Sequence, residues 1–135
     1  MTPSESVYSE LLLDLYRHPL NKKRLAVFDI SFIEFNPLCG DKVELFLKFD
    51  AGGRLEDIGY MGDGCAISQA ATSLLTEHIK GKTKQEIQAL TGETLLDLLG
   101  LKNLNPTRMR CALLGLKALQ QSLKTANPVT RTGSN

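Results

Sequence analysis

Apolar residues recur along this chain with two different periods, and the change of period divides it into three parts. Between Ser6 and Arg17, Val7, Leu11, Leu12, Leu15 and Tyr16 fall at helical spacing with polar residues between them, and His18-Pro19 ends the run. An amphipathic opening helix is predicted there. The period then shortens. Ile30, Phe32 and Glu34 alternate with Ser31, Ile33 and Phe35 in a β-rich run closed by Pro37. Val43, Leu45, Leu47 and Phe49 alternate with Lys42, Glu44, Phe46 and Lys48, the pattern of a strand with one exposed face, and Phe46 is out of step. Asp50-Ala-Gly-Gly53 is a turn signal. The chain returns through Arg54 to Met61 with Ile58 and Tyr60 in phase and Leu55 out of phase, which predicts a bulge. Three antiparallel strands are the simplest account.

After Cys65 the helical period resumes. Ile67, Ala70, Ala71, Leu74, Leu75 and His78 share one face of a helix that Gly81 closes, and this helix should pack on the sheet. Thr83-Lys-Gln-Glu86 has the spacing of a capping box opening a short helix, and Thr91 to Leu99 forms another before Gly100. Pro106 suits a first helical turn. Met109, Ala112, Leu113, Leu116, Leu119 and Leu123 then mark one buried stripe along the last helix. The architecture expected is α+β: a three-stranded antiparallel sheet with helices packed against it.

Composition narrows the class. A chain of 135 residues fits one domain spanning 1–135, with an ordered core over about 6–124 and a polar tail, 125–135, expected to be disordered. Sixteen basic against fifteen acidic residues, with no Trp, give no broad cationic field, so nucleic acid is not the expected partner. The run Lys22-Lys23-Arg24 reads as a solvated loop. Glu5, Glu10 and Asp14 interrupt the opening apolar run, so it lacks a signal-peptide layout, and no stretch approaches membrane-spanning length. Three well-separated cysteines argue for reduced thiols in a cytoplasmic compartment rather than a disulfide framework.

Those cysteines, Cys39, Cys65 and Cys111, carry the candidate chemistry. Cys39 lies in Asn36-Pro-Leu-Cys-Gly-Asp41, Cys65 follows Gly62-Asp-Gly64 at the mouth of a helix, and Cys111 follows Arg108 and Arg110 early in the last helix. Helix starts and nearby cations favour a thiolate, and glycine lets backbone N–H groups approach an anion. Three thiols with the nearby Asp41 carboxylate make up a four-coordinate set. The spacing is not that of a zinc finger, and a free cysteine also serves as a small core residue. Nucleophilic catalysis would need a base, yet His18 sits beside a proline and His78 more than a turn into its helix, on or near an apolar face. No phosphate-binding or dinucleotide loop is present.

In order, the motifs Leu15-Tyr-Arg-His-Pro-Leu-Asn21, Asn36-Pro-Leu-Cys-Gly-Asp41, Gly62-Asp-Gly-Cys-Ala-Ile-Ser68, Thr76-Glu-His-Ile-Lys-Gly-Lys82 and Arg108-Met-Arg-Cys-Ala112 resemble the iron-sulfur cluster assembly scaffold family. The resemblance covers most of residues 6 to 124. It implies that Cys39, Asp41, Cys65 and Cys111 group at one exposed end. It also implies that the protein accepts sulfur as persulfide from a cysteine desulfurase and assembles or relays a labile [2Fe-2S] cluster to apo iron-sulfur proteins, as a carrier rather than a turnover enzyme. A monomer or weak homo-oligomer is expected, with Cys65 and Cys111 as the reactive thiols.

Two branches of that family meet here. In the scaffold branch a histidine precedes the third cysteine and a Leu-Pro-Pro-Val-Lys segment recruits a chaperone; the matching stretch here is Leu104-Asn-Pro-Thr-Arg-Met-Arg-Cys111, with Arg110 in the histidine's place. Gly64-Cys-Ala-Ile-Ser68 and the basic residue before Cys111 resemble the zinc-dependent sulfur-acceptor branch, without its usual insertion between the second and third cysteines. Either Zn2+ or a transient [2Fe-2S] cluster suits thiolate and carboxylate donors, with Asp41 the ligand expected to leave. The alternatives are a zinc-dependent sulfur acceptor and transfer protein without cluster scaffolding, or a zinc-stabilised interaction module.

Overall fold

A computed structural model describes residues 10–36 and 40–124. The period-two segments become β1 (Ile30–Asn36), β2 (Asp41–Phe49) and β3 (Leu55–Asp63), an antiparallel meander in the order β1-β2-β3. Ile30 pairs with Leu47 and Asn36 with Asp41 across the first ladder. Across the second, Lys42 faces Asp63 and Lys48 faces Asp57, after which the register slips so that Phe49 faces Leu55. That slip is the bulge the out-of-phase Leu55 predicts.

Val43, Leu45, Leu47, Ile58 and Tyr60 are buried in the core shared with the helices. Phe46 points the other way and is buried too, because the connection between α1 (Glu10–Arg17) and β1 crosses that second face. The Phe28 ring meets Phe46 edge-on at 5.4 Å and the Arg24 guanidinium lies 5.5 Å from its centroid. The basic run is exposed as expected and also anchored: Arg24 pairs with Glu44 at 3.1 Å and Lys23 reaches Asp57 at 3.9 Å.

On the inner face lie α2 (Ala66–His78) and α5 (Pro106–Lys124), with α1 against α2. α2 is buried along most of its length, and small residues, Ala70, Ala71, Thr72 and Ser73, let its neighbours approach. The hydroxyls of Thr72 and Thr76 donate back to the carbonyls of Ser68 and Ser73, at 2.8 and 2.7 Å, which satisfies their protons inside the helix. Where α5 crosses α2, a Cβ on Gly115 would stand 2.6 Å from Thr72 Oγ1, so only glycine fits. α3 (Lys84–Gln88) opens with the expected capping box between Thr83 and Glu86; α4 (Gly92–Leu99) ends on Gly100 in the left-handed region.

The expected stripe on α5 is rotated. Its buried residues are Cys111, Ala112, Leu114, Gly115, Leu116, Ala118, Leu119 and Ser122, whereas Met109, Leu113 and Leu123 are half-buried. α5 packs on β1 and β2 and along α2 beside it, so small residues make the near contacts and large ones fill the rim. The start of the opening helix, the Pro37 turn and the tail 125–135 lie outside the described residues. No described helix is long and apolar enough to cross a membrane.

Candidate metal centre

Three chain segments converge where β2, α2 and α5 each begin. Asp41 is the first residue of β2, held across from Asn36 by the ladder, and only 5% exposed. Cys65 is the N-cap of α2, in extended conformation, and its side chain makes no capping hydrogen bond. Its Sγ instead lies 3.9 Å from Asp41 Oδ2. Cys111 comes in from α5, 5% exposed. One ligand atom from each of Asp41, Cys65 and Cys111 lies within 4.8 Å of the other two. This is the one group of three or more His, Cys, Asp or Glu side chains so gathered among the described residues.

The local sequence explains the convergence. A Cβ on Gly64 would stand 2.8 Å from the carboxyl carbon of Asp41 and 3.0 Å from its Oδ1, so glycine is what lets the chain pass the carboxylate before Cys65. Asn105 fixes the start of α5: its side chain accepts from Arg108 N–H at 2.8 Å and its carbonyl from Met109 N–H at 2.9 Å. Cys111 therefore stands in the second turn, past the first turn where a helix terminus acts most strongly on a thiol. Its nearest charged sequence neighbours are Arg108, half-buried, and Arg110, exposed.

A tetrahedral zinc with Zn–S bonds of about 2.3 Å holds its sulfur ligands roughly 3.8 Å apart. Two cysteines and a carboxylate already within 4.8 Å need only a small contraction to reach that spacing. Two thiols and a carboxylate fit zinc or an iron-sulfur cluster and are a poor donor set for magnesium or calcium.

Comparison with known proteins gives the family. Residues 7–129 match the family model described as the NifU-like N terminal domain. The chain belongs to that family. Among NifU-like relatives it is 31% identical to the zinc-dependent sulfurtransferase SufU of Bacillus subtilis, over 88% of this chain and 90% of that one. It is 32% identical to the iron-sulfur cluster assembly scaffold protein IscU 1 of Archaeoglobus fulgidus, over 87% and 74%. A crystal structure described as an iron-sulfur cluster assembly scaffold protein for the SUF system, from Fervidobacterium islandicum, superposes with a TM-score of 0.75 at 31% identity, covering 87% of this chain and 97% of that one. The NifU-like fold, a three-stranded antiparallel sheet with helices packed on it, is the one the alternation predicts.

Of the four residues expected at the centre, Asp41, Cys65 and Cys111 come together, and Cys39 lies outside the described residues. Cys65 is exposed; Cys111 is buried. Neither His18 nor His78 joins the cluster, and His78 lines a small apolar hollow with Leu90 and Leu95. The motifs also contain supporting residues that went unassigned in the sequence. Ser68, one turn after Cys65, donates to its carbonyl at 3.1 Å, and Asn36 is buried opposite Asp41. Asn21 takes a left-handed conformation and its amide donates to Thr76 Oγ1 and Glu77 Oε1, both at 3.1 Å.

Proposed function

We propose that this protein accepts sulfur from a cysteine desulfurase and assembles or relays a labile [2Fe-2S] cluster to apo iron-sulfur proteins. The observation that carries this reading is the gathering of Asp41, Cys65 and Cys111 within 4.8 Å. The names of the NifU-like relatives, a zinc-dependent sulfurtransferase and a cluster assembly scaffold, support it.

Cys39, Asp41, Cys65 and Cys111 are the residues that would hold zinc, which when bound keeps thiolates deprotonated and contributes no redox chemistry of its own. Sulfur transfer needs an approachable thiolate, and Cys65 is the exposed thiol of the described pair. Its sulfur attacks the outer sulfur of a persulfide on the desulfurase. A new S–S bond forms as the donor's S–S bond breaks, and the donor cysteine leaves as a thiolate, so no external oxidant is consumed. Cys111, buried beside Asp41, becomes available when the carboxylate gives way. An oxygen donor among thiolates holds iron less firmly than a fourth thiolate, which suits a cluster meant to leave. The chain is loaded and emptied by other proteins, which makes it a carrier in a reducing compartment rather than a turnover enzyme.

The test is loading. Anaerobic incubation with desulfurase, cysteine and ferrous iron is expected to add sulfur by intact mass and a visible cluster spectrum, and Cys65→Ala and Cys111→Ala are each expected to lose metal or persulfide. Unchanged loading in both variants would overturn the reading. A second reading, zinc serving folding alone, is favoured by the burial of Asp41 and Cys111. It requires a large drop in melting temperature on chelation with no sulfur uptake, and a persulfide on any cysteine excludes it.

A further inference from the structure

α5 has nineteen residues, none of them acidic, and four of them basic: Arg108, Arg110, Lys117 and Lys124. Arg110, Lys117 and Lys124 stand seven residues apart, two helical turns, and all three are exposed. They form a cationic stripe about 21 Å long. Two adjoining hollows run beside it. One, of about 490 Å³, lies between the end of β1 and the first half of α5, lined by Phe35, Met109, Leu113 and Leu114 with Arg110 and Lys117 at its edge. The other, of about 280 Å³, continues past Leu116 and Gln121 to Lys124. They share Leu113 and Lys117, so together they form one groove. On the sheet's edge strand, Phe35 is 58% exposed and Ile33 46%, which extends the apolar surface beyond the groove.

We propose that this groove docks an amphipathic helix of another protein, apolar on the face that meets Phe35, Met109 and Leu113 and acidic along the flank that meets Arg110, Lys117 and Lys124. Charge complementarity selects the occupant. A second copy would bring the same cations: an antiparallel two-fold apposition of α5 sets Lys117 against Lys117 and Arg110 against Lys124. The chain's own segments outside the described residues, 1–9, 37–39 and 125–135, contain a single acid, Glu5, and add Arg131. A bilayer needs apolar groups that protrude, whereas this floor is recessed, and nucleic acid gains nothing from an apolar floor. Lys117 pairs with Glu34 at 3.4 Å, the Glu34 side chain 19% exposed and that of Lys117 61%, so the ammonium keeps a solvent-facing side with N–H donors for a docked carboxylate. Seven-residue spacing suits a helix packed nearly parallel or antiparallel to α5. The groove starts at Met109 and Arg110, so the docked helix would begin beside Cys111 whatever the centre carries.

The probe is a synthetic helical peptide of about three heptads, with leucine on one face and glutamates seven residues apart, titrated into the isotope-labelled full chain. Expected are saturable shifts confined to Phe35, Met109, Leu113, Leu116 and Gln121, weakened by added salt. Lys117→Gln combined with Lys124→Glu should weaken binding about fivefold while leaving zinc and sulfur loading unchanged, which separates this docking from the chemistry of the centre. If the double variant melts early, the salt dependence of the wild-type titration decides in its place. Equal binding of a lysine-for-glutamate peptide, shifts elsewhere, no binding of the acidic peptide, binding to anionic vesicles instead of the peptide, or concentration-dependent dimers blocked by it would each overturn the proposal.

Discussion

The two ends of α2 are finished in opposite ways. At its closing end nearly every polar group is bound within the chain: Leu20 N–H donates to Ser73 Oγ at 2.6 Å, Asn21 binds Thr76 and Glu77, and Gly81 N–H and the Lys82 carbonyl bracket Leu55. At its opening end the N-cap thiol makes no capping bond, and Gln69 Oε1, one turn on, is buried without a hydrogen-bond partner among the described residues. Burying a polar atom unpaired costs about 1 to 3 kcal/mol, a burden the closing end avoids. One end of the helix is secured by the fold. The other is held more loosely, by the Cys65 Sγ contact to Asp41 and the Ser68 hydroxyl on the Cys65 carbonyl.

Ile79, fully buried at the closing end, should give the largest effect: Ile79→Ala is expected to cost about 2 to 5 kcal/mol in chemical denaturation and leave zinc stoichiometry intact. Gly64→Ala should do the reverse, costing about 1 to 3 kcal/mol but abolishing metal loading, because the new methyl meets the Asp41 carboxylate. If both variants lose stability and metal together, the two ends are not separable. Asn21→Ala is expected to cost about 2 kcal/mol, part from lost hydrogen bonds and part from alanine at positive φ. Asn21→Gly relieves the second part alone, so the difference between the two variants' denaturation midpoints measures the backbone strain, and the deficit of Asn21→Gly from the wild type measures the latch. Thr83→Ala, farther along, should cost about 1 kcal/mol through its capping box.

The smallest effect is acid sensitivity. Hydrogen bonds from Asn21, then from Lys80, hold the Glu77 carboxyl below its ordinary 4.5, and the Thr83 backbone N–H does the same for Glu86. A depressed folded pKa contributes stability above the unfolded value that is lost as pH falls through the folded one. Denaturation midpoints should therefore drop as pH falls through 4.5 and on through the lowered folded values, and Asn21→Ala should flatten that drop by removing the first cause at Glu77.

What could be read from the sequence was what depends on neighbours along the chain. Leu55 out of phase announced the bulge, Thr83 and Glu86 announced their box, and Gly100 announced its stop. Phe46 looked like an exception because its cover, Phe28 and Arg24, comes from a connection with no period. Asn21 was opaque because its partners Thr76 and Glu77 are 55 and 56 residues away. The same limit applies at the centre. Asp41 and Cys65 could be named from their motifs, but the burial of Cys111 follows from α5 packing on the sheet and on α2 at once, which periodicity on one helix does not report.

Thr72 and Gly115 bear on each other two turns beyond Cys65 and one turn beyond Cys111. With no side chain on Gly115, the α5 backbone rests directly against the Thr72 side chain, and this close crossing fixes the spacing of the two helices that carry Cys65 and Cys111. Asp41 arrives on a different element, the β1–β2 hairpin, whose turn also carries Cys39. The centre thus joins parts of different origin: the helix crossing sets where the two cysteines stand, and the β1–β2 ladder sets where the carboxylate stands, so either can be altered without the other.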